Sequence, residues 1–152
     1  MKTNNVGFTL IELLVVIAII GILGSIVIAN LNNARNKGND AKVKSQLSSA
    51  RAKAELFAEA NSGSYNGSAG NISGPCTTAN SMFTDPAPPS GSSGMAVQLS
   101  GIANITCYST SNTYAISAFL PSSAATGGTI SWCVDSSGDS MQRATAINSP
   151  AC

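Results

Sequence analysis

The sequence predicts an α+β chain: one long N-terminal helix, apolar through its first half, packs its second half on a small antiparallel sheet. Three observations carry this reading. Residues 8–29 form an apolar run of about 22 residues holding a single acid, enough for roughly 33 Å of helix. Val43, Leu47, Ala50, Ala54 and Phe57 then recur at steps of three and four, which places them on one helical face. Towards the C-terminus, short strand-like segments are separated by Gly, Pro and Asn, at intervals too short for crossover helices.

The apolar run is long enough to span a bilayer once. Residues 30–38 are polar and rich in Asn, a weak helix former, but no proline occurs before Pro75, so the helix is expected to continue with a bend near residues 30–39. In the second half Lys42, Lys44, Arg51, Lys53, Glu55 and Glu59 fall mostly off the apolar stripe, and Arg51 with Glu55 is expected as an i, i+4 ion pair. Asn61-Ser62-Gly63 is the expected stop. The helix then covers residues 8–60, near 80 Å if unbroken.

Residues 65–89 read as irregular because Gly, Ser, Asn and Pro are dense there, with Asp85-Pro86-Ala87-Pro88-Pro89 extended or turning. Strands are expected at 95–99, 105–109, 114–119 and 129–134, and a last one near 141–147. In the third, Tyr114, Ile116 and Ala118 alternate with Ala115, Ser117 and Phe119, as in a strand covered on both faces. Asp135-Ser136-Ser137-Gly138-Asp139 reads as a hairpin turn. Calcium at Asp135 and Asp139 is the competing reading, but the spacing does not match the EF-hand loop.

Glu12 is the lone carboxylate of the apolar run. An ionised side chain near the centre of a bilayer costs several kcal/mol, so such a residue marks function and needs a partner. Gly7-Phe8-Thr9-Leu10-Ile11-Glu12 follows a short polar leader with Lys2 and precedes an aliphatic run. This pattern resembles the N-terminus of a type IV prepilin. The resemblance is close over about the first 30 residues and extends to a general plan of long helix followed by a cysteine-containing head rich in small residues.

That resemblance implies a pilin-like fold and a filament subunit for adhesion, motility or surface display. It implies that a prepilin peptidase/N-methyltransferase cuts between Gly7 and Phe8 and methylates the Phe8 amine. Partners would be other copies of the chain, related pilins, an inner-membrane assembly platform and the membrane. The corresponding divisions are a leader at 1–7, an assembly half of the helix at 8–29 and an extracytoplasmic head at 30–152. The precursor would cross the inner membrane once and end in an extracellular or periplasmic filament. A pseudopilin of type II secretion is the alternative within the family, and a membrane-anchored binding module that never polymerises is the alternative outside it.

The cut would create an amine of pKa near 8, positive at neutral pH. Glu12 lies one turn away in its own chain and within reach of the amine of an axially shifted copy. Opposite charges cost far less in hydrocarbon together than apart, and removing one partner of a buried pair typically costs about 3 to 5 kcal/mol. Glu12 is therefore expected to set the register between stacked helices. A secretory signal ending at Val27-Ile28-Ala29 is the bland reading, but its apolar core would be too long and would contain Glu12.

Arg35, Lys37, Lys42 and Lys44 follow the span while only Lys2 precedes it, so a positive-inside count puts the C-terminal side in the cytoplasm. The cysteines argue otherwise. Cys76, Cys107, Cys133 and Cys152 are an even set without His or two-residue spacing, which suits disulfides in an oxidising compartment better than zinc or free thiols. Four cysteines allow three connectivities. Cys76 with Cys107 is favoured as a pin from loop to sheet, and Cys133 with Cys152 is the terminal pair that the pilin resemblance implies.

Charged residues are 10% of the chain and the formal charge is +1. Arg143 is the only cation beyond Ala60, so no nucleic-acid partner is expected. There is no His, no Gly-x-Ser-x-Gly elbow and no Gly-rich phosphate loop with a Lys, so the chain is read as a non-enzyme without cofactor or metal. Acceptor sequons at Asn66, Asn71 and Asn104 occur at the frequency that a chain rich in Ser and Thr gives by chance.

Overall fold

The structure is a computed structural model that describes residues 7–79, 81–84 and 95–152. Helix α1 runs Leu10–Ala60, followed by β1 at Ile72–Pro75, the short helix α2 at Ala96–Leu99, β2 at Ile105–Ser109 and β3 at Tyr114–Phe119. A 3-10 segment at Pro121–Thr126 leads to β4 at Ser131–Asp135 and β5 at Ser140–Arg143. The chain divides into two units, residues 1–36 and 37–152. Helical structure continues through residues 30–39, as the absence of proline allows.

Helix α1 ends at the expected stop. The Asn61 N–H bonds the Phe57 carbonyl at 3.0 Å, and the Gly63 N–H reaches back to the Ala58 carbonyl at 2.7 Å. Gly63 has φ +84, the left-handed conformation in which glycine carries no Cβ penalty.

Within residues 37–152 the sheet is a five-stranded antiparallel meander in the order β1-β2-β3-β4-β5. Its helix-side core joins Val43, Leu47, Ala50, Ala54 and Phe57 of α1 to Cys107, Tyr114, Ile116, Ala118 and Val134. The predicted stripe is thus the contact face. Alanines at 50 and 54, both fully buried, let the helix approach the sheet closely, while Leu47 fills the space between. The cations beside the stripe are also used: the Lys44 Nζ sits 4.4 Å from the centroid of the Trp132 ring, a cation–π contact of about 0.5–1 kcal/mol at such a site.

The opposite face of the sheet is covered by the last residues of the chain. Ile147 packs with Ala115 and Cys133, with Tyr108 and Cys152 at the margin. Such a segment crosses a sheet face, where the strand N–H and C=O groups are already paired within the sheet plane. It must be held by side chains. The Ile147 N–H donates to Ser117 Oγ at 3.2 Å, Ser131 Oγ donates to the Thr145 carbonyl at 2.7 Å, and the Cys152 N–H donates to Asp135 Oδ2 at 2.8 Å. Ser117, Ser131 and Asp135 are accordingly buried polar residues of β3 and β4, and their bonding is what makes that burial tolerable.

Cys76 is bonded to Cys107 with a Cα–Cα distance of 5.1 Å, fastening the end of β1 to β2. Cys133 is bonded to Cys152 with a Cα–Cα distance of 5.7 Å. Each loop closure is worth about 2–4 kcal/mol in the chain-entropy account.

Four expectations need correction. Residues 95–99 are not a strand: Met95 and Leu99 are buried while Val97 is 61% exposed, and the Leu99 N–H bonds the Met95 carbonyl at 3.0 Å, so the pair suits one helical turn. Residues 72–75, read as irregular, are strand β1, where Pro75 is tolerated because β1 is an edge strand. The last strand stops at Arg143 rather than 147, because the chain leaves the ladder to cross the sheet face. Arg51 and Glu55 do not make the expected pair: Arg51 donates to the Asp139 carbonyl and Glu55 accepts from the Tyr65 hydroxyl at 2.9 Å. The expected loop at 85–89 lies outside the described residues.

Leu47 has no exposed surface, so Leu47→Ala is expected to destabilise the head by about 2–5 kcal/mol, read as a lower denaturant midpoint with an unchanged slope.

Asp135 offers a second test. Burial pushes its carboxyl up, but bonds from Ser137 Oγ and from the N–H groups of Cys152, Asp139 and Ser137 together hold it below its ordinary value. A depressed folded pKa stabilises above the unfolded value near 3.9, and that contribution is lost as pH falls through the lower folded value. Asp135→Asn is expected to flatten the acid limb of head stability measured by melting across about pH 2 to 5.

Candidate functional site

The large apolar side chains between Phe8 and Leu31 are all exposed, from 82% at Phe8 to 47% at Val16. Among the described residues α1 is the one helix long and apolar enough to cross a bilayer, and none of its apolar window is buried. A soluble monomer rarely shows a contiguous apolar patch above a few hundred Å². This surface must be covered by lipid or by protein.

Within it stands Glu12, in the first turn of α1. Gly7 and Phe8 precede the helix without regular structure. Thr9 Oγ1 donates to Glu12 Oε2 at 2.6 Å, and the Thr9 N–H donates to the same oxygen at 2.9 Å. In return the Glu12 N–H donates to Thr9 Oγ1 at 3.3 Å. This is a reciprocal capping box: two N–H groups that have no intrahelical partner are satisfied by the two side chains. The negative charge also lies at the end of the helix dipole that favours it.

Thr9 was not among the residues singled out from the sequence. Its signal was present as Thr-x-x-Glu at the start of an apolar run, the sequence form of this cap. The small residues of the stem present open surface: a Cβ built at Gly21 or Gly24 meets nothing within 4 Å, and Ser25 Oγ turns back to the Ile22 carbonyl at 2.8 Å.

The other candidates are bound up in structure. At the 135–139 turn, Asp135 Oδ1 accepts from the Ser137 N–H at 3.0 Å, Ser137 Oγ at 2.6 Å and the Asp139 N–H at 3.1 Å. The carboxylate is thus turned to N–H and O–H donors of its own turn and, through Oδ2, to Cys152. Of the sequon residues, Asn66 is buried and its amide accepts from Ser64 Oγ at 2.6 Å, while Asn71 and Asn104 are exposed. An open cleft of about 420 Å³ is lined by Lys42, Val43, Gln46, Ile102, Phe119 and Leu120 among others, with Lys42 its only charged group among the described residues.

Residues 4–28 match the family described as prokaryotic N-terminal methylation motif. Over 54 residues the chain is 50% identical to the type IV wide pilus major component PilA4 of Thermus thermophilus, covering 36% of this chain and 41% of that protein. The match therefore spans less than half the length of that curated relative. No solved structure gives a match.

Thr9→Ala removes the cap and is expected to loosen the start of the helix by about 1 kcal/mol. Faster hydrogen exchange at the first-turn amides, including Glu12, with unchanged exchange beyond Val16, is the reading that checks it.

Proposed function

We propose, from the premise that its N-terminal segment is of the type IV pilin family, that this chain is a structural subunit of a pilus. Cleavage between Gly7 and Phe8 and methylation of the Phe8 amine prepare it, a prepilin peptidase/N-methyltransferase doing both. The apolar half of α1 holds the precursor in the inner membrane and then packs against the same segment of other copies. An assembly platform in that membrane feeds the extracellular filament.

The observation that carries this reading is the uncovered apolar half of α1 with one carboxylate in its first turn. Both bonds from Thr9 fall on Oε2 of Glu12, which leaves Oε1 for an incoming cation. The amine of Phe8 in another copy supplies it after the cut. Cap and pair are then compatible: the cap fixes the direction of the carboxylate, and the amine neutralises it. A pilus is preferred to a secretion pseudopilus because the relative carries the name of a wide pilus major component.

Two measurements test the proposal. Sheared surface material should contain this chain beginning at a methylated Phe8. Glu12→Val should leave membrane-inserted, processed protein at normal abundance while surface filaments fall at least tenfold. Normal filament abundance in that variant would remove the pairing role, and a chain still beginning at Met1 in the mature material would remove the proposal.

A further inference from the structure

The Cys133–Cys152 bond lies beside further contacts that hold the same terminal segment on the sheet. Cys133 is fully buried on the outer face of β4, whereas Cys152 is half-exposed. Between them the terminal segment is fixed by Ile147 in its apolar socket and by bonds to Ser117 Oγ and from Ser131 Oγ. At its end the Cys152 N–H meets Asp135 Oδ2 at 2.8 Å, while Arg143 donates to the Cys152 carbonyl. Asp135 is itself held in place by its turn, through three bonds to its other oxygen. Cys152 is therefore gripped at both its N–H and its carbonyl by groups that belong to β4 and β5.

We infer that Asp135 is a positioning residue for the terminal disulfide: it docks the Cys152 amide on the sheet before the sulfurs join, so that oxidation seals a strap already in place. Exposure sets the order of the chemistry. The Cys152 thiolate attacks a small-molecule disulfide such as oxidised glutathione, forms a mixed disulfide and expels one glutathione thiolate. The Cys133 thiolate then attacks the Cys152 sulfur, forms the Cys133–Cys152 bond and expels the second glutathione thiolate. Two protein thiols lose two electrons in all, the small disulfide gains them, and the two thiol protons pass through solvent to the released glutathione.

The second step runs at a rate set by how often Cys152 lies beside Cys133. Asp135 raises that frequency for this pair alone, because Cys76 and Cys107 join β1 to β2 in the helix-side core.

The test uses the full-length chain in detergent micelles, equilibrated in glutathione redox buffers at neutral pH and analysed by thiol trapping and peptide mapping. Asp135→Asn should lower the effective concentration of the Cys133–Cys152 pair about tenfold or more, with Cys76–Cys107 unchanged. Asp135→Glu, which keeps the carboxylate, should recover part of the loss. A parallel fall in both pairs would mean general loss of the fold, and no change in either would mean that the strap is placed without the carboxylate; each overturns the inference. A second variant guards against misfolding: in C133S/C152S the Ile147 amide should stay protected from hydrogen exchange, because the strap docks without the covalent bond. Loss of that protection also overturns it.

Discussion

Among the described residues, the apolar half of the long helix finds no covering partner. An α-helix satisfies its backbone hydrogen bonds internally, so what surrounds it has only to suit its side chains. Between Phe8 and Leu31 those side chains are apolar and exposed. Such a segment can pass from lipid to the side chains of other copies without exchanging any backbone hydrogen bond. The second half of the same helix is used differently: its stripe from Val43 to Phe57 is the floor on which the head's core is built.

The head carries few charges, so its cohesion comes from packing and from hydroxyl and amide groups used sparingly in buried places. Its sheet is covered on both faces by unlike material, a helix on one side and an irregular strap on the other. The helix needs only apolar side chains from the sheet because its own backbone is satisfied. The strap brings unsatisfied N–H and C=O groups, so the sheet answers it with Ser117, Ser131 and Asp135. The two faces of one strand thus differ in chemistry for a single reason, the hydrogen-bonding state of what covers them.

Glu12 serves the helix it starts as well as the filament proposed for it. Within one chain it completes a capping box with Thr9, which gives the carboxylate a fixed direction. A side chain ordered by its own cap loses less entropy when a second copy arrives. Lys44 follows the same economy, where a cation that a topology count would assign to the membrane surface lies over Trp132.

Helix α1, its stop at Asn61 to Gly63, its core stripe, and strands β2 and β3 could be read directly from the sequence, because periodicity and turn chemistry are local properties. So could Glu12, as the single charge in a long apolar run. Strand β1 could not, since Gly74 and Pro75 disguise an edge strand whose existence depends on the ladder of β2. The helical turn at 95–99, the separate partners taken by Arg51 and Glu55, and the early end of β5 were decided by what tertiary packing placed beside them. The sequence alone determined the long helix and its apolar half, because those are sums over neighbours in the chain. The strap and the Asp135 grip on Cys152 were decided only by folding, because they join groups 17 residues apart across a sheet face, where no periodicity reaches.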